Sequence, residues 1–351
     1  MVIAQNGPGI TGLVTPIKTA YWNHTPLLVV TPQAANKTMG QGGFQEVEQM
    51  NLFKDMVCYQ EEVRDPSRMA EVLNRVIEKA FRGSAPAQIN VPRDYWTQVI
   101  DIELPPIVRF ERQGGGKEAI ENAAKLLSKA KFPVILSGAG VVLGGAIDEC
   151  KKLAEKLDAP VCNGYQHNDS FPGSHPLAVG PLGYNGSKAA MELISKADVV
   201  LALGTRLNPF STLPGYGIDY WPKKATIIQV DMNPDRIGLT KKVSVGICGD
   251  AKQVAQQILD KLSSDAGNTG REERKNLIHK TKSAWLQTLS GLDHEEDDPG
   301  TVWNKEARER DKDRMSPRQA WRAIQDALPQ DAIISSDIGN NCAIGNAYPT
   351  F

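Results

Sequence analysis

The chain has 351 residues, 41% of them hydrophobic, enough for two or three domains with cores of their own, which excludes a chain disordered throughout. Its 40 Lys and Arg against 41 Asp and Glu leave a formal net charge of -1 with both signs dispersed. That excludes the electrostatic footprint of a nucleic-acid binder and points to a small, anionic metabolite as partner. Cys58, Cys150, Cys162, Cys248 and Cys342 form an odd set without CxxC spacing, as expected of reduced thiols in the cytoplasm. The start of the chain shows no basic stretch with a cleavage site, and no apolar run approaches the roughly 18 residues of a membrane span.

In chain order, Met1 to Ala4 reads as a short strand that turns at Gly7-Pro8-Gly9, where the backbone can approach a ligand without side-chain obstruction. Asn23-His24-Thr25-Pro26 is a turn expected near the same edge. It precedes a buried parallel strand, Leu27 to Val30, that ends at Thr31-Pro32-Gln33. Gly42-Gly43-Phe44-Gln45-Glu46 is a flexible loop running into a helix, with Glu46 placed favourably against the helix dipole. Asp65 is the expected cap of a helix with Pro66 at its first position and Met69, Val72, Leu73, Val76, Ile77, Ala80 and Phe81 on one face. Gln88 to Pro92 is another buried strand, and together these elements make half of a doubly wound α/β domain. Glu103-Leu104-Pro105-Pro106 and Gln113-Gly114-Gly115-Gly116 mark a linker.

A second α/β unit follows, with strands at Pro133 to Leu136, Val199 to Leu203 and Thr226 to Val230, helical crossovers between them, and Asp250 capping the closing helix. Its Gly138-Ala139-Gly140-Val141-Val142-Leu143-Gly144 is GxGxxxG and not the dinucleotide-binding GxGxxG. The charged stretch from Ser263 to Arg314, with His294 to Asp298 and Lys305 to Asp311, reads as a solvated connector holding one packed helix around Trp285 and Leu286. Ser316-Pro317-Arg318-Gln319 has capping-box spacing and opens a helix whose expected buried face is Ala320, Trp321, Ile324, Ala327 and Leu328. A strand from Ala332 to Ser336 ends at Asp337-Ile338-Gly339-Asn340-Asn341, where open α/β sheets bind ligands. The five His and the carboxylates show no metal-ligand spacing, and there is no GxSxG nucleophile elbow.

Gln5-Asn6-Gly7-Pro8-Gly9, followed some thirty residues later by Gly40-Gln41-Gly42-Gly43-Phe44-Gln45-Glu46, resembles the pyrimidine-side domain of thiamine diphosphate (ThDP) enzymes of the acetolactate synthase and pyruvate oxidase group. The resemblance implies doubly wound parallel-sheet domains: the later part of a pyrimidine-side domain at 1–103, a complete central domain at 114–262, the connector at 263–315, and the start of a pyrophosphate-side domain at 316–351. By the same resemblance Gly7, Pro8 and Gly9 line the pocket of the aminopyrimidine, although that group usually has Asn where this chain has Gly12. Gln45 becomes the substrate-side hydrogen-bond donor, Phe44 an apolar wall, and Asp337, Gly339 and Asn340 contacts to the diphosphate. A family glutamate that activates the cofactor would lie upstream of Met1, and the ligands of Mg2+ beyond Phe351, so the resemblance implies a piece of a longer enzyme that is inactive alone.

Tyr21-Trp22-Asn23-His24-Thr25-Pro26 through Ala34-Ala35-Asn36-Lys37-Thr38 is similar to one branch of the family, which makes His24 a catalytic candidate. Members of that branch convert sulfoacetaldehyde and phosphate to acetyl phosphate and sulfite in taurine and sulfonate degradation, with the acetyl group carried on the cofactor. Cofactor pockets of the family are shared between subunits, implying a homodimer or homotetramer. Gly204-Thr205-Arg206-Leu207-Asn208 and Asp231-Met232-Asn233-Pro234 resemble the FAD-holding segments of acetolactate synthases, for which a structural role is expected here. Two alternatives stand beside this reading: a related ThDP enzyme acting on 2-oxo acids, and a non-catalytic nucleotide-binding module built on residues 114–262.

Overall fold

The apolar runs become parallel strands covered by helices. A computed structural model describes residues 1–106, 111–292, 314–315, 317–329, 331–337 and 339–347. The chain divides into two compact units, Met1–Phe110 and Glu111–Phe351.

In the first unit, β1 (Val2–Ile3), α1 (Pro8–Thr11), α2 (Val14–Trp22), β2 (Leu27–Gln33), α3 (Gln49–Phe53), β3 (Tyr59–Glu62), α4 (Met69–Gly83) and β4 (Pro86–Pro92) build a parallel sheet of order β1-β2-β4-β3. All seven residues of β4 are buried although its sequence alternates, Ala87, Ile89 and Val91 joining the apolar core while Gln88 and Asn90 are satisfied by side-chain hydrogen bonds. Asp65 accepts from the N–H of Ser67 at 2.9 Å and caps a 3-10 turn, Pro66–Arg68, that leads into α4. Val72, Val76 and Ala80 of α4 face the sheet, but Phe81, expected on that face, is 66% exposed in the last turn of the helix. β3 was not foreseen because three of its four residues are polar. Its carboxylates are satisfied laterally: Glu61 takes both Nε and Nη2 of Arg75 at 2.8 and 2.9 Å, and Glu62 takes Nδ2 of Asn90 at 2.7 Å.

A buried polar ladder crosses this sheet. Gln60 Nε2 donates to Gln88 Oε1 at 2.7 Å, Gln88 Nε2 to Thr31 Oγ1 at 2.9 Å, and Thr31 Oγ1 to Asn90 Oδ1 at 2.6 Å. Gln49, fully buried at the start of α3, donates to the carbonyl of Pro32 at 2.6 Å. Buried hydrogen bonds are directional, so this one fixes where the chain lies just after Gln45.

In the second unit, α5 (Lys117–Lys129), β5 (Pro133–Ser137), α6 (Ala139–Gly144), α7 (Ile147–Leu157), β6 (Val161–Asn163), β7 (Ala178–Pro181), α8 (Lys188–Ile194), β8 (Val199–Leu203), β9 (Thr226–Asp231), β10 (Val245–Cys248) and α9 (Ala251–Lys261) form a parallel sheet of order β10-β9-β8-β5-β6-β7 with helical crossovers. Asp250 caps α9, accepting from the N–H of Lys252 at 3.1 Å and of Gln253 at 3.2 Å. The charged stretch supplies α10 (Arg271–Leu292), which buries Trp285 and Leu289 against Ala189 of α8 while Leu286 is 52% exposed. Arg274 of α10 is 1% exposed and donates to five carbonyls, those of Asp158, Lys131, Thr269, Leu157 and Gly267.

Two further helices follow, α11 (Pro317–Ala327) and α12 (Asn340–Gly345). The capping residue Ser316 and the charge runs at 294–298 and 305–311 lie outside the described residues. The expected buried face of α11 does not form: Ala327 is exposed and Ile324 is 45% exposed, because the helix rests on its neighbours mainly through Trp321. Residues 332–336 do not form a strand either. A strand exists by pairing, and no described strand lies beside them. No helix among the described residues is long and apolar enough to cross a membrane. All five cysteines are free, with Cys150, Cys162 and Cys342 buried and Cys58 exposed. Burial pushes the Cys150 thiol up to about 12, which leaves it unreactive.

Candidate functional site

The chain leaves the carboxyl end of β1 through Gln5-Asn6 and turns at Gly7, whose φ of 72° suits glycine, before Pro8 opens α1. The two motifs meet here. Gln5 Nε2 donates to Gln45 Oε1 at 3.1 Å across 40 residues of sequence. A Cβ on Gly7 would lie 2.8 Å from the carbonyl oxygen of Gln45 and 2.9 Å from its Cβ, so only glycine permits the approach. Gln45 itself holds φ 59°, a left-handed conformation rare for a residue with a side chain and common at functional turns. Because Oε1 accepts from Gln5, Nε2 is the end of the Gln45 amide that can serve a ligand.

Glu46 closes the glycine loop instead of serving the dipole of the following helix, which begins only at Gln49. Its carboxylate accepts from the N–H of Gly40 at 2.5 Å and of Gly43 at 3.0 Å. These backbone bonds, that of Gly40 foremost, hold its carboxyl below the usual carboxylate range. Next to the closed loop, the Phe44 side chain is 82% exposed. Asn6 Oδ1 is buried and finds no hydrogen-bond partner among the described residues, an acceptor left open beside Gly7. The reading of the sequence assigned nothing to Gln5, Asn6 or the loop bonds of Glu46. The first two stood inside the quoted motif, but polar residues in loops carry no periodicity that would reveal their partners.

His24 does not join this cluster. It follows α2 and precedes β2, at the amino edge of the parallel sheet, whereas Gly7 and Gln45 lie past the carboxyl ends of β1 and β2. The expectation of a shared edge is therefore corrected by the strand direction. His24 ends α2 with φ 57°; its N–H donates to Tyr21 O at 3.3 Å and that of Thr25 to Ala20 O at 3.0 Å, the bond pattern of a left-handed helix stop.

Asp337, Gly339 and Asn340 belong to the second unit. Asp337 is exposed, Gly339 adopts φ 140°, a conformation reserved for glycine, and α12 begins at Asn340. In the central domain the glycines after β5 serve contact between loops: Gly138 N–H donates to Leu203 O at 3.1 Å and Gly140 N–H to Gly204 O at 2.8 Å. A Cβ on Gly140 would come within 2.7 Å of Gly204 Cα. The segment after β9 closes on itself in the same way, Asp231 Oδ1 accepting from Asn233 N–H at 2.8 Å and Asn233 Oδ1 from Asp235 N–H at 2.9 Å. Burial pushes the Asp231 carboxyl up and the Arg206 guanidinium down. Among the described residues no group of three or more His, Cys, Asp or Glu could hold a metal ion.

Comparison with known proteins agrees with this partition. Residues 1–52 match the model of the thiamine pyrophosphate enzyme N-terminal TPP binding domain, and residues 120–258 that of the thiamine pyrophosphate enzyme central domain. A sulfoacetaldehyde acetyltransferase of Roseovarius nubinhibens is 79% identical over 351 residues, all of this chain and 58% of the relative. A probable sulfoacetaldehyde acetyltransferase of Rhizobium meliloti is 78% identical over the same length, covering 59% of the relative. A probable acetolactate synthase large subunit of Methanocaldococcus jannaschii is 34% identical over 298 residues, 83% of this chain and 48% of the relative. The chain spans about three fifths of the length of the curated relatives it matches. With both family domains present, and with the N-terminal one holding the Gly7 turn and the Gln45 loop in contact, the chain belongs to the thiamine pyrophosphate (thiamine diphosphate) enzyme family.

Proposed function

We propose that the whole protein is a ThDP- and Mg2+-dependent acyltransferase that converts sulfoacetaldehyde and phosphate to acetyl phosphate and sulfite, as a cytoplasmic homodimer or homotetramer. The observation that carries this reading is the identity of 78–79% along the entire chain to relatives bearing that name.

The residues present fit the cofactor's chemistry. Asn6 Oδ1, buried and open, complements the amino group of a pyrimidine laid along Gly7, Pro8 and Gly9. When bound, ThDP supplies a nucleophilic carbon for the aldehyde. Gln45 Nε2 then donates a hydrogen bond to the aldehyde oxygen, where negative charge develops, and Gln5 holds the opposite end of the amide. Phe44 is the proposed apolar wall on the substrate side, and Asp337, Gly339 and Asn340 of another copy of the chain are the proposed contacts to the diphosphate.

Supplying sulfoacetaldehyde with phosphate, or pyruvate, to the full-length enzyme tests the substrate assignment. Sulfite and acetyl phosphate from the former support it, and turnover of pyruvate alone would assign the protein to the acetolactate synthase side of the family. Gln45→Ala is expected to lower kcat on the order of 10²-fold, the effect of removing one donor to a developing oxyanion. Steady-state sulfite release at saturating substrate checks this, and an unchanged kcat would remove Gln45 from the chemistry.

A further inference from the structure

The second unit contains a set of partly buried polar contacts to which the function above assigns no part. Asn346, 5% exposed just after α12, accepts at Oδ1 from the N–H of Gln166 at 3.1 Å and donates from Nδ2 to the carbonyl of Tyr184 at 3.4 Å. Its own carbonyl accepts from Asn168 Nδ2 at 3.0 Å. One turn earlier, Gln166 Nε2 reaches the buried sulfur of Cys342 at 2.6 Å. The partners come from two loops of the central domain, Tyr165 to Asn168 after β6 and Tyr184 after β7, both past the carboxyl edge of the sheet. Gln166 holds φ 63°, so the loop after β6 is itself bent into a strained turn to make these bonds.

Apolar packing completes the seat. Ile344, Ala347 and Trp321 pack on Ala189, Trp285 and Leu289, a Cβ on Gly345 would meet the Trp321 ring at 2.5 Å, and Trp321 Nε1 donates to the carbonyl of Asn341 at 2.9 Å. α12 has only six residues, and helices shorter than about 12 residues do not hold together alone, so its place and rotation come from this seat. Apolar contacts would let so short a helix slide or turn; the amide bonds of Asn346 fix it. α12 starts directly at Asn340, after the glycine-only conformation of Gly339, so whatever fixes α12 fixes the backbone that leaves Gly339.

We propose that Asn346 and Gln166 are positioning residues through which the central domain holds Gly339 and the start of α12 in the geometry that receives the cofactor's diphosphate. The central domain is then a clamp for half of the cofactor site and not a spacer. This rests on the assignment of residues 337–340 to the diphosphate.

The test uses the full-length enzyme with Asn346→Ala, Asn346→Asp and Gln166→Ala, read by hydrogen exchange over residues 339–347 and by the ThDP concentration giving half-maximal sulfite release. Asn346→Ala, which removes two side-chain hydrogen bonds, should accelerate exchange in that segment on the order of tenfold and raise the half-maximal ThDP concentration by a similar factor, and Gln166→Ala, which removes only the bond to Cys342, should do both to a smaller extent. At saturating ThDP, kcat should stay within about twofold, since no reacting atom is touched. Asn346→Asp keeps the acceptor for Gln166 N–H but sets a carboxylate oxygen against the Tyr184 carbonyl, so both effects should persist, smaller than in Asn346→Ala. Unchanged exchange, or a fall in kcat at unchanged ThDP requirement, would overturn the proposal. If the wild-type enzyme showed no ThDP-dependent turnover, the proposed function would fall. The exchange arm would still decide whether Asn346 holds the start of α12: acceleration confined to 339–347 supports the clamp, and its absence refutes it.

Discussion

Replacing Arg274 by alanine should destabilise the second unit by at least about 3 kcal/mol, a fall of roughly 6–12 °C in thermal midpoint for a unit of this size. The guanidinium accepts nothing and donates to five carbonyls, of which those of Asp158, Leu157 and Gly267 are bonded in fully buried surroundings at 2.9, 2.9 and 2.5 Å. Leu157 and Asp158 end α7, and Lys131 follows α5, so one side chain satisfies the open carbonyls beside two helices and ties α10 to both. Without it, each buried acceptor loses its partner at a cost of about 1–3 kcal/mol, and water cannot replace the fork from outside. Arg274→Lys should give an intermediate result, because a single ammonium with three donors cannot reach carbonyls spread across a planar fork. Asp158 also pairs with Arg271 and Lys275, and these exposed partners should contribute far less when removed. Thermal unfolding of Arg274→Ala, Arg274→Lys, Arg271→Ala and Lys275→Ala checks the order, and a loss below about 1 kcal/mol for Arg274→Ala would contradict the account.

Gly7→Ala should abolish most activity while leaving the protein folded. Two effects combine: an alanine at φ 72° costs roughly 1–2 kcal/mol of backbone strain, and its methyl group would sit 2.8 Å from the Gln45 carbonyl oxygen. Either the turn opens or the Gln45 loop retreats, and a displacement on the order of 1 Å at a reacting group costs on the order of 10²-fold in rate. Gly12→Ala is the control. Its Cβ would lie 3.5 Å from the carbonyl oxygens of Gly9 and Pro8, an ordinary contact, at a φ of -63° that alanine accepts, so activity should fall far less. Sulfite release by the full-length variants measures both; a Gly7→Ala enzyme within twofold of wild type would separate the two motifs functionally.

Much of the fold was legible because parallel strands buried on both faces announce themselves as apolar runs. Leu27 to Gln33, Gln88 to Pro92, Val199 to Leu203 and Thr226 to Val230 all fall within strands, and Asp65 and Asp250 cap where their side chains and the following residues say they should. What escaped was decided by partners distant in sequence. β3 is polar because Arg75 and Asn90 answer its carboxylates, and Arg274 looked like one more charge in a solvated connector until α10 buried it. The segment 332–336 has the residues of a strand and, among the described residues, no strand beside it to pair with. At the site, the glycines at 7, 40 and 42 and the pair Phe44-Gln45 stood out through their resemblance to the family's motifs, since a glycine turn alone is more often structural. The roles of Gln5, Asn6 and Glu46 depended on which atoms face one another, and His24 depended on strand direction; neither is written in spacing.

The contact between Gly7 and Gln45 is central to this account, and the structure of the full-length enzyme with ThDP bound tests it most directly. The account predicts the aminopyrimidine along Gly7 to Gly9 with its amino group within hydrogen-bond reach of Asn6 Oδ1, and Gln45 Nε2 turned toward the space where the aldehyde oxygen would lie. A pyrimidine ring seated away from Asn6, with Gln45 facing no part of the cofactor or substrate, would contradict it.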